Sequence, residues 1–165
     1  RMLEWGSGGS SRAWLKAMPE LEMLWSVEHN EAWANTVRES ITDERFHLSW
    51  EPAQGEAEPH HIPGNKETGA RHAAWCLKHE QDPKEMISYI ENPVQAGVIF
   101  DVALVDGRAR VHCLRKAYEL VRPGGMIILH DAQREEYHPT ARELGDPLFL
   151  EPWVQGQVCL IHRGA

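Results

Sequence analysis

Apolar positions along this chain fall into short runs separated by glycine, proline and polar stretches, and the period changes from run to run. Met2 and Leu3 lead through Glu4 and Trp5 into a glycine-rich turn, Gly6-Ser7-Gly8-Gly9, with Ser10 and Ser11 at a helix start. Ala13, Trp14, Leu15, Ala17 and Met18 predict a helix that stops at Pro19, since proline cannot continue the backbone ladder. Met23 to Val27 reads as a strand ending at Glu28 and His29. Asn30 is a good N-cap for a helix whose buried face is Trp33, Val37 and Ile41, spaced by four. Phe46 to Trp50 alternates apolar and polar residues, the mark of a third strand.

From about Glu51 to Gly97 the character changes. Pro52, Pro59, Pro63, Pro83 and Pro93 fall here among acidic residues, with little strand pattern. A helix is predicted over Glu67 to His79, and a second one with Asp82 as cap, Pro83 at its first position and Glu85 completing a capping box. The segment 51–97 is read as an insertion over the sheet edge or the mouth of a site. Regularity returns with a strand at Phe100–Val105 and a helix face of Val111, Leu114, Ala117, Tyr118 and Val121. Arg122-Pro123-Gly124-Gly125 breaks that helix, and Met126–Leu129 forms a strand ending at His130 and Asp131. A helix near Tyr137–Leu144 and a hairpin of Leu148–Leu150 with Val158–Ile161 close the chain. Strands alternating with helices predict one α/β domain with a doubly wound, mostly parallel sheet.

Composition narrows the picture. At 165 residues the chain suits a single domain. It has no apolar run of membrane-spanning length and no signal-peptide pattern. A formal net charge of -8 argues against general nucleic-acid binding. Cys76, Cys113 and Cys159 are odd in number and far apart, which fits reduced thiols in a cytoplasmic setting. The first residue, Arg1, stands directly on the first strand, so further N-terminal sequence is expected.

In a doubly wound sheet, ligands bind beyond the carboxyl ends of the strands. Those ends carry Glu4 to Gly9, Glu28 with His29, Glu51, Asp106 to Arg108, and His130 with Asp131. Glu28, twenty positions after Gly8, can accept both hydroxyls of a ribose, or it can cap the following helix. The turn serves either NAD or S-adenosylmethionine. Against NAD stand Ser11, where a dinucleotide site uses a third glycine, and Glu4, which would repel a pyrophosphate but could hold a cationic amino group.

Four segments carry a resemblance to the class I S-adenosylmethionine-dependent methyltransferases. They are L-E-W-G-S-G-G-S at 3–10, S-V-E-H-N at 26–30, D-V-A-L-V-D-G-R at 101–108 and V-R-P-G-G-M-I-I-L-H-D at 121–131. The resemblance implies a Rossmann-like seven-stranded sheet with the last strand antiparallel and helices on both faces. It also implies S-adenosylmethionine as cofactor, met by Glu4, Trp5, Gly6, Gly8 and Ser10, with Glu28 on the ribose and His29 or Trp50 beside the adenine.

On the acceptor side, Asp106 and Asp131 close the fourth and fifth strands. In the catechol-type and caffeoyl-CoA-type O-methyltransferases, which this part of the chain resembles, acids at such places hold a divalent metal, magnesium or manganese. Here the Asn that follows the second acid in that pattern is Ala132. Without a metal, Asp106, His130 or Asp131 is the candidate general base. Arg108 could pair with an anionic substrate, as could Arg110, or both could pair with the protein's own acids. The D-G-R-A-R segment also resembles small sugar-directed O-methyltransferases, including the plant glucuronoxylan type. His72, Cys76 and His79, with His60 and His61 nearby, have spacing that suits zinc on one helix face, and equally a part-buried helix face. The expected function is O-methylation of a small-molecule or sugar-like acceptor. The competing readings are an NAD-dependent oxidoreductase and a cofactor-binding partner subunit without catalysis.

Overall fold

The short apolar runs become strands and the longer periodic ones helices. In chain order they are β1 (Met2–Trp5), α1 (Gly9–Ala17), β2 (Leu24–Glu28), α2 (Glu31–Ser40), β3 (Phe46–Trp50), α3 (Lys66–Gln81), α4 (Ile87–Glu91), β4 (Phe100–Val105), α5 (Arg110–Leu120), β5 (Val121–His130), α6 (His138–Leu144), β6 (Leu148–Phe149) and β7 (Val158–His162). The computed structural model describes residues 1–164. The strands form one seven-stranded sheet in the order β3-β2-β1-β4-β5-β7-β6. Pairings from β3 to β5 are all parallel, and β7 runs antiparallel to both β5 and β6. This is the predicted arrangement, antiparallel last strand included. No described helix is long and apolar enough to cross a membrane.

Alternation along each strand divides the sheet's residues between two faces. Leu3, Trp5, Ala103, Val105, Ile127 and Leu129 enter the larger core, with Trp75 of α3, Ile90 of α4, and Cys113, Leu114 and Ala117 of α5. Met2, Leu24 and Leu104 point the other way and join Leu15 of α1 in a smaller core. Helix cover on that second face thins out toward β7. Val102, Met126, Ile128 and Leu160 stay only part-buried there and open onto grooves beside Trp14 of α1.

Segment 51–97 is the crossover from β3 to β4, and it does more than overlie an edge. Met86, Tyr89 and Ile90 are fully or nearly fully buried, and the indole of Trp5 donates to the Tyr89 carbonyl at 3.0 Å. The capping box expected at Asp82 does not form. Asp82 does accept from the Lys84 amide at 3.1 Å, but Glu85 turns away to Lys78 and His79, and a 3-10 turn (Lys84–Met86) leads directly into α4. The R-P-G-G turn also differs from expectation. It is folded into the start of β5 as an irregularity, where the pairing jumps from Phe100↔Val121 to Val102↔Met126.

Candidate active site

The glycine turn is built for contact between strand ends. Gly6 has φ +92°, and a Cβ there would come within 2.9 Å of the Asp106 carbonyl carbon and Gly107 Cα. Only glycine lets the β1 and β4 loops meet so closely. Ser11, in place of a third glycine, links the turn to the strand below it. Its hydroxyl accepts from the Gly8 amide at 2.9 Å and donates to Glu4. Ser26 donates to the same carboxylate at 2.8 Å and Ser10 at 3.2 Å. Glu4 is thus a buried post beneath the N-terminus of α1, 0% exposed, and does not reach the cleft as a cofactor contact. Burial raises its pKa to about 7 against the opposing serine hydrogen bonds. Trp5 likewise belongs to the core, 0% exposed. Gly6, Ser7 and Ser10 do line the cleft.

Beyond β2, Glu28 accepts from the amides of His29 and Asn30, both at 2.9 Å, through Oε1. Its Oε2 takes the longer bonds from the Ser7 amide and hydroxyl, 3.2 and 3.3 Å, which leaves that oxygen with capacity for a ligand. The sequence left open whether Glu28 caps the next turn or faces the cleft; it does both. His29 lies with Nδ1 2.9 Å from Glu28 Oε1, out of line for a hydrogen bond, and with Nε2 2.7 Å from Glu58 Oε2. Glu58 lies in the segment between β3 and α3, and nothing in its sequence surroundings singled it out. It also meets His72 at 2.8 Å and accepts from Arg108 Nε at 2.7 Å. Burial works against ionising these groups, yet His29 and Arg108 hold Glu58 far below the carboxylate range, His29 holds Glu28 below its usual value, and the two glutamates raise His29. Arg108 is therefore engaged with Glu58 and is not a free anion receptor. Trp50 stands outside the cleft, over a smaller recess behind His29, its indole bonded to the His29 carbonyl at 3.2 Å. Trp33, whose indole donates to the Ser7 carbonyl at 2.7 Å, borders the cleft, as do Trp14 and Trp153.

The ends of β4 and β5 bring Asp106, His130 and Asp131 together, each offering a donor atom within 4.8 Å of the others. His130 Nδ1 lies 3.0 Å from Asp106 Oδ1 and 3.5 Å from Asp131 Oδ1, again without hydrogen-bond alignment. Between the acids sits Arg110. Its Nη2 is 3.3 Å from Asp106 Oδ1 and 3.2 Å from Asp131 Oδ2. Its other donors reach the carbonyls of Gly107 at 3.0 Å and His130 at 2.6 Å. Burial raises Asp106, only partly offset by Arg110; at Asp131 burial also pushes upward, but Arg110 and His130 prevail and lower it. A divalent metal at this point would face a fixed guanidinium holding both acids, and at an effective dielectric near 20 the repulsion would be on the order of 8 kcal/mol at 4 Å. The residues present do not fit a metal.

Glycine turn, Glu28, Asp106 and His130 all border one cleft of about 1050 Å³. No family model matches the chain, and no curated protein matches it by sequence. Solved structures match by shape. A methyltransferase-like protein from Silicibacter pomeroyi superposes with TM-score 0.63 at 22% identity, covering 98% of this chain and 78% of its own. An amino pentose methyltransferase from Micromonospora echinaspora involved in calicheamicin biosynthesis, solved with S-adenosylmethionine bound, gives 0.55 at 12%, covering 99% and 83%. The MycE methyltransferase of mycinamycin biosynthesis, solved with magnesium, S-adenosylhomocysteine and mycinamycin VI, gives 0.56 at 14%, but this chain spans 99% of itself against 41% of MycE. This is the class I methyltransferase fold.

Within this methyltransferase fold, the pattern-derived zinc trio does not assemble. His72 and Cys76 face Glu58, while His79 is buried in the helix's inner face, its Nδ1 2.7 Å from the Trp75 carbonyl. Sequence reasoning also missed Trp153, which reaches the cleft from the β6–β7 connection and is 61% exposed.

Proposed function

We propose that the chain binds S-adenosylmethionine on the glycine turn and methylates a hydroxyl of a small-molecule or sugar-like acceptor. One observation carries the reading: Gly6, Glu28 and His130 border a single cleft, so a nucleoside seat and a candidate base face the same space. Bound there, S-adenosylmethionine would supply an electrophilic methyl on sulfur. Glu28 Oε2 would accept the ribose hydroxyls. His130 would take the acceptor's proton on Nε2 as the oxygen gains the methyl and the sulfur keeps the bond's electrons. Asp106 and Asp131 lie 3.0 and 3.5 Å from His130 Nδ1, where their carboxylates would favour the imidazolium formed as Nε2 takes the proton. The methyltransferase neighbours support the same cofactor, since one of them is named with S-adenosylmethionine bound.

Calorimetry with S-adenosylhomocysteine and NAD is the test. S-adenosylhomocysteine should bind, and Glu28→Ala should weaken it at least tenfold, about 1.4 kcal/mol, the scale of a hydrogen bond to a charged group. Binding of NAD alone would overturn the reading.

A further inference from the structure

We propose that Arg110 is the resident cation of the acceptor-side site and stands in place of a divalent metal. The guanidinium lies between Asp106 and Asp131, the two strand-end acids that would otherwise be the anionic ligands, at 3.3 and 3.2 Å. Arg110 is not a surface side chain that has drifted in: it is 4% exposed. Nε is bonded to the Gly107 carbonyl, Nη1 to the His130 carbonyl and Nη2 to the Asp106 carbonyl at 3.1 Å. The Tyr137 ring centre lies 5.8 Å from its Cζ.

The backbone is shaped around it. Among the described residues, the non-glycine residues with positive φ are Ala109 and Asp131, at +50° and +54°. Ala109 directly precedes Arg110, and Asp131 is one of its two acids. Such conformations are disfavoured for residues with a Cβ and persist where surrounding structure over-determines them. Ala109 cannot cap α5 with its side chain, and Glu80 of α3 does so, accepting from the Arg110 and Val111 amides, both at 2.9 Å. Helix α3 thereby fixes the turn that aims the guanidinium under the strand ends. A fixed monocation with directional donors bridges the two acids but offers no open coordination position. The consequence for the reaction rests on the proposed function: an acceptor hydroxyl would meet His130 without a metal to chelate it.

The test needs no turnover, so it is independent of the cofactor reading. Free Mn²⁺ is followed by its paramagnetic resonance signal during titration with protein. Wild type should leave the signal no lower than Asp131→Asn does. Arg110→Ala should bind about one equivalent, because Asp106, Asp131 and His130 then form an open nitrogen-and-oxygen ligand set, and adding Asp131→Asn should abolish the uptake. Arg110→Lys, which restores a cation, should bind none. A wild-type protein that takes up Mn²⁺ in a manner lost in Asp131→Asn would overturn the proposal, and this arm stands even where Arg110→Ala does not fold. A folded Arg110→Ala protein that binds no Mn²⁺ would overturn it as well.

Discussion

Two clusters, each built on two carboxylates, a histidine and an arginine, contribute side chains to the cleft wall. One holds Glu28, Glu58, His29 and Arg108; the other holds Asp106, Asp131, His130 and Arg110. Each pairs two carboxylates with a histidine whose Nδ1 is buried without an aligned partner. They differ in where the arginine goes. In the first, Arg108 takes only Glu58, so His29 is clasped by a carboxylate at each nitrogen, 2.9 and 2.7 Å. In the second, Arg110 takes both acids, and only Nδ1 of His130 faces them. His130 borders the cleft, and among the described residues its Nε2 has no protein hydrogen-bond partner. The arginine's position thus separates a histidine held between two carboxylates from one whose Nε2 is left without a protein partner among the described residues.

The widest expected gap between the two is in turnover. His130→Ala should lower methyl transfer by about two to four orders of magnitude, the usual worth of a positioned general base, while leaving S-adenosylhomocysteine binding near the wild-type level. His29→Ala should behave in reverse: weaker cofactor binding and a lower melting temperature, with the rate at saturating cofactor largely kept. Matching losses of rate in both variants would erase the distinction.

Glu4 sharpens the comparison as a buried carboxylate given hydroxyl donors but no neighbouring cation. Its pKa, raised from 4.5 to about 7, means the folded state binds a proton more tightly than the unfolded chain. Stability from this group is therefore present in full below 4.5 and falls as pH rises toward 7, by about 3 kcal/mol in total. Glu4→Gln keeps the shape and should flatten that part of the stability curve in denaturant melts between pH 4.5 and pH 8. An unchanged slope would mean another group carries the dependence.

How far the sequence could be read follows from the same contacts. Period and punctuation were enough for the sheet, because β1, β4 and β5 are near-continuous apolar runs and their ends are marked by Gly6, Gly107 and Asp131. Glu28 and His130 were legible since they end strands. Glu4 was legible as chemistry but misplaced, because its side of β1 is covered by α1, and no periodicity shows that Ser10, Ser11 and Ser26 converge on it. Arg110 and Glu58 depend on distant partners. Arg110 is aimed by an unusual backbone turn at Ala109, and Glu58 crosses to partners at positions 29, 72 and 108 from a stretch with no period of its own. The part-bare apolar face over β4, β5 and β7 is a fact of helix placement, invisible to a pattern that marks those strands as buried.

The smallest of these effects tests whether Glu58 truly clasps its cluster. Its own depressed pKa gives stability that is present above 4.5 and lost as pH falls below it. The raised pKa of His29 acts on the other side: its contribution is complete below 6.5 and is lost as pH rises through the folded-state value. Glu58→Gln keeps the shape and one acceptor oxygen but removes the charge, so it should cost about 2 kcal/mol at neutral pH, the scale of a hydrogen bond to a charged group. It should also move the alkaline loss of stability to lower pH, because His29 then keeps only Glu28 as counter-charge. Melting temperatures across pH 3 to pH 9, with the His29 ring titrated by NMR in both proteins, separate the two effects. If the His29 titration is the same in Glu58→Gln as in wild type, Glu28 alone sets its charge. The arginine on Glu58 would then be irrelevant to the histidine, and the contrast with Arg110 would rest on the acceptor-side cluster only.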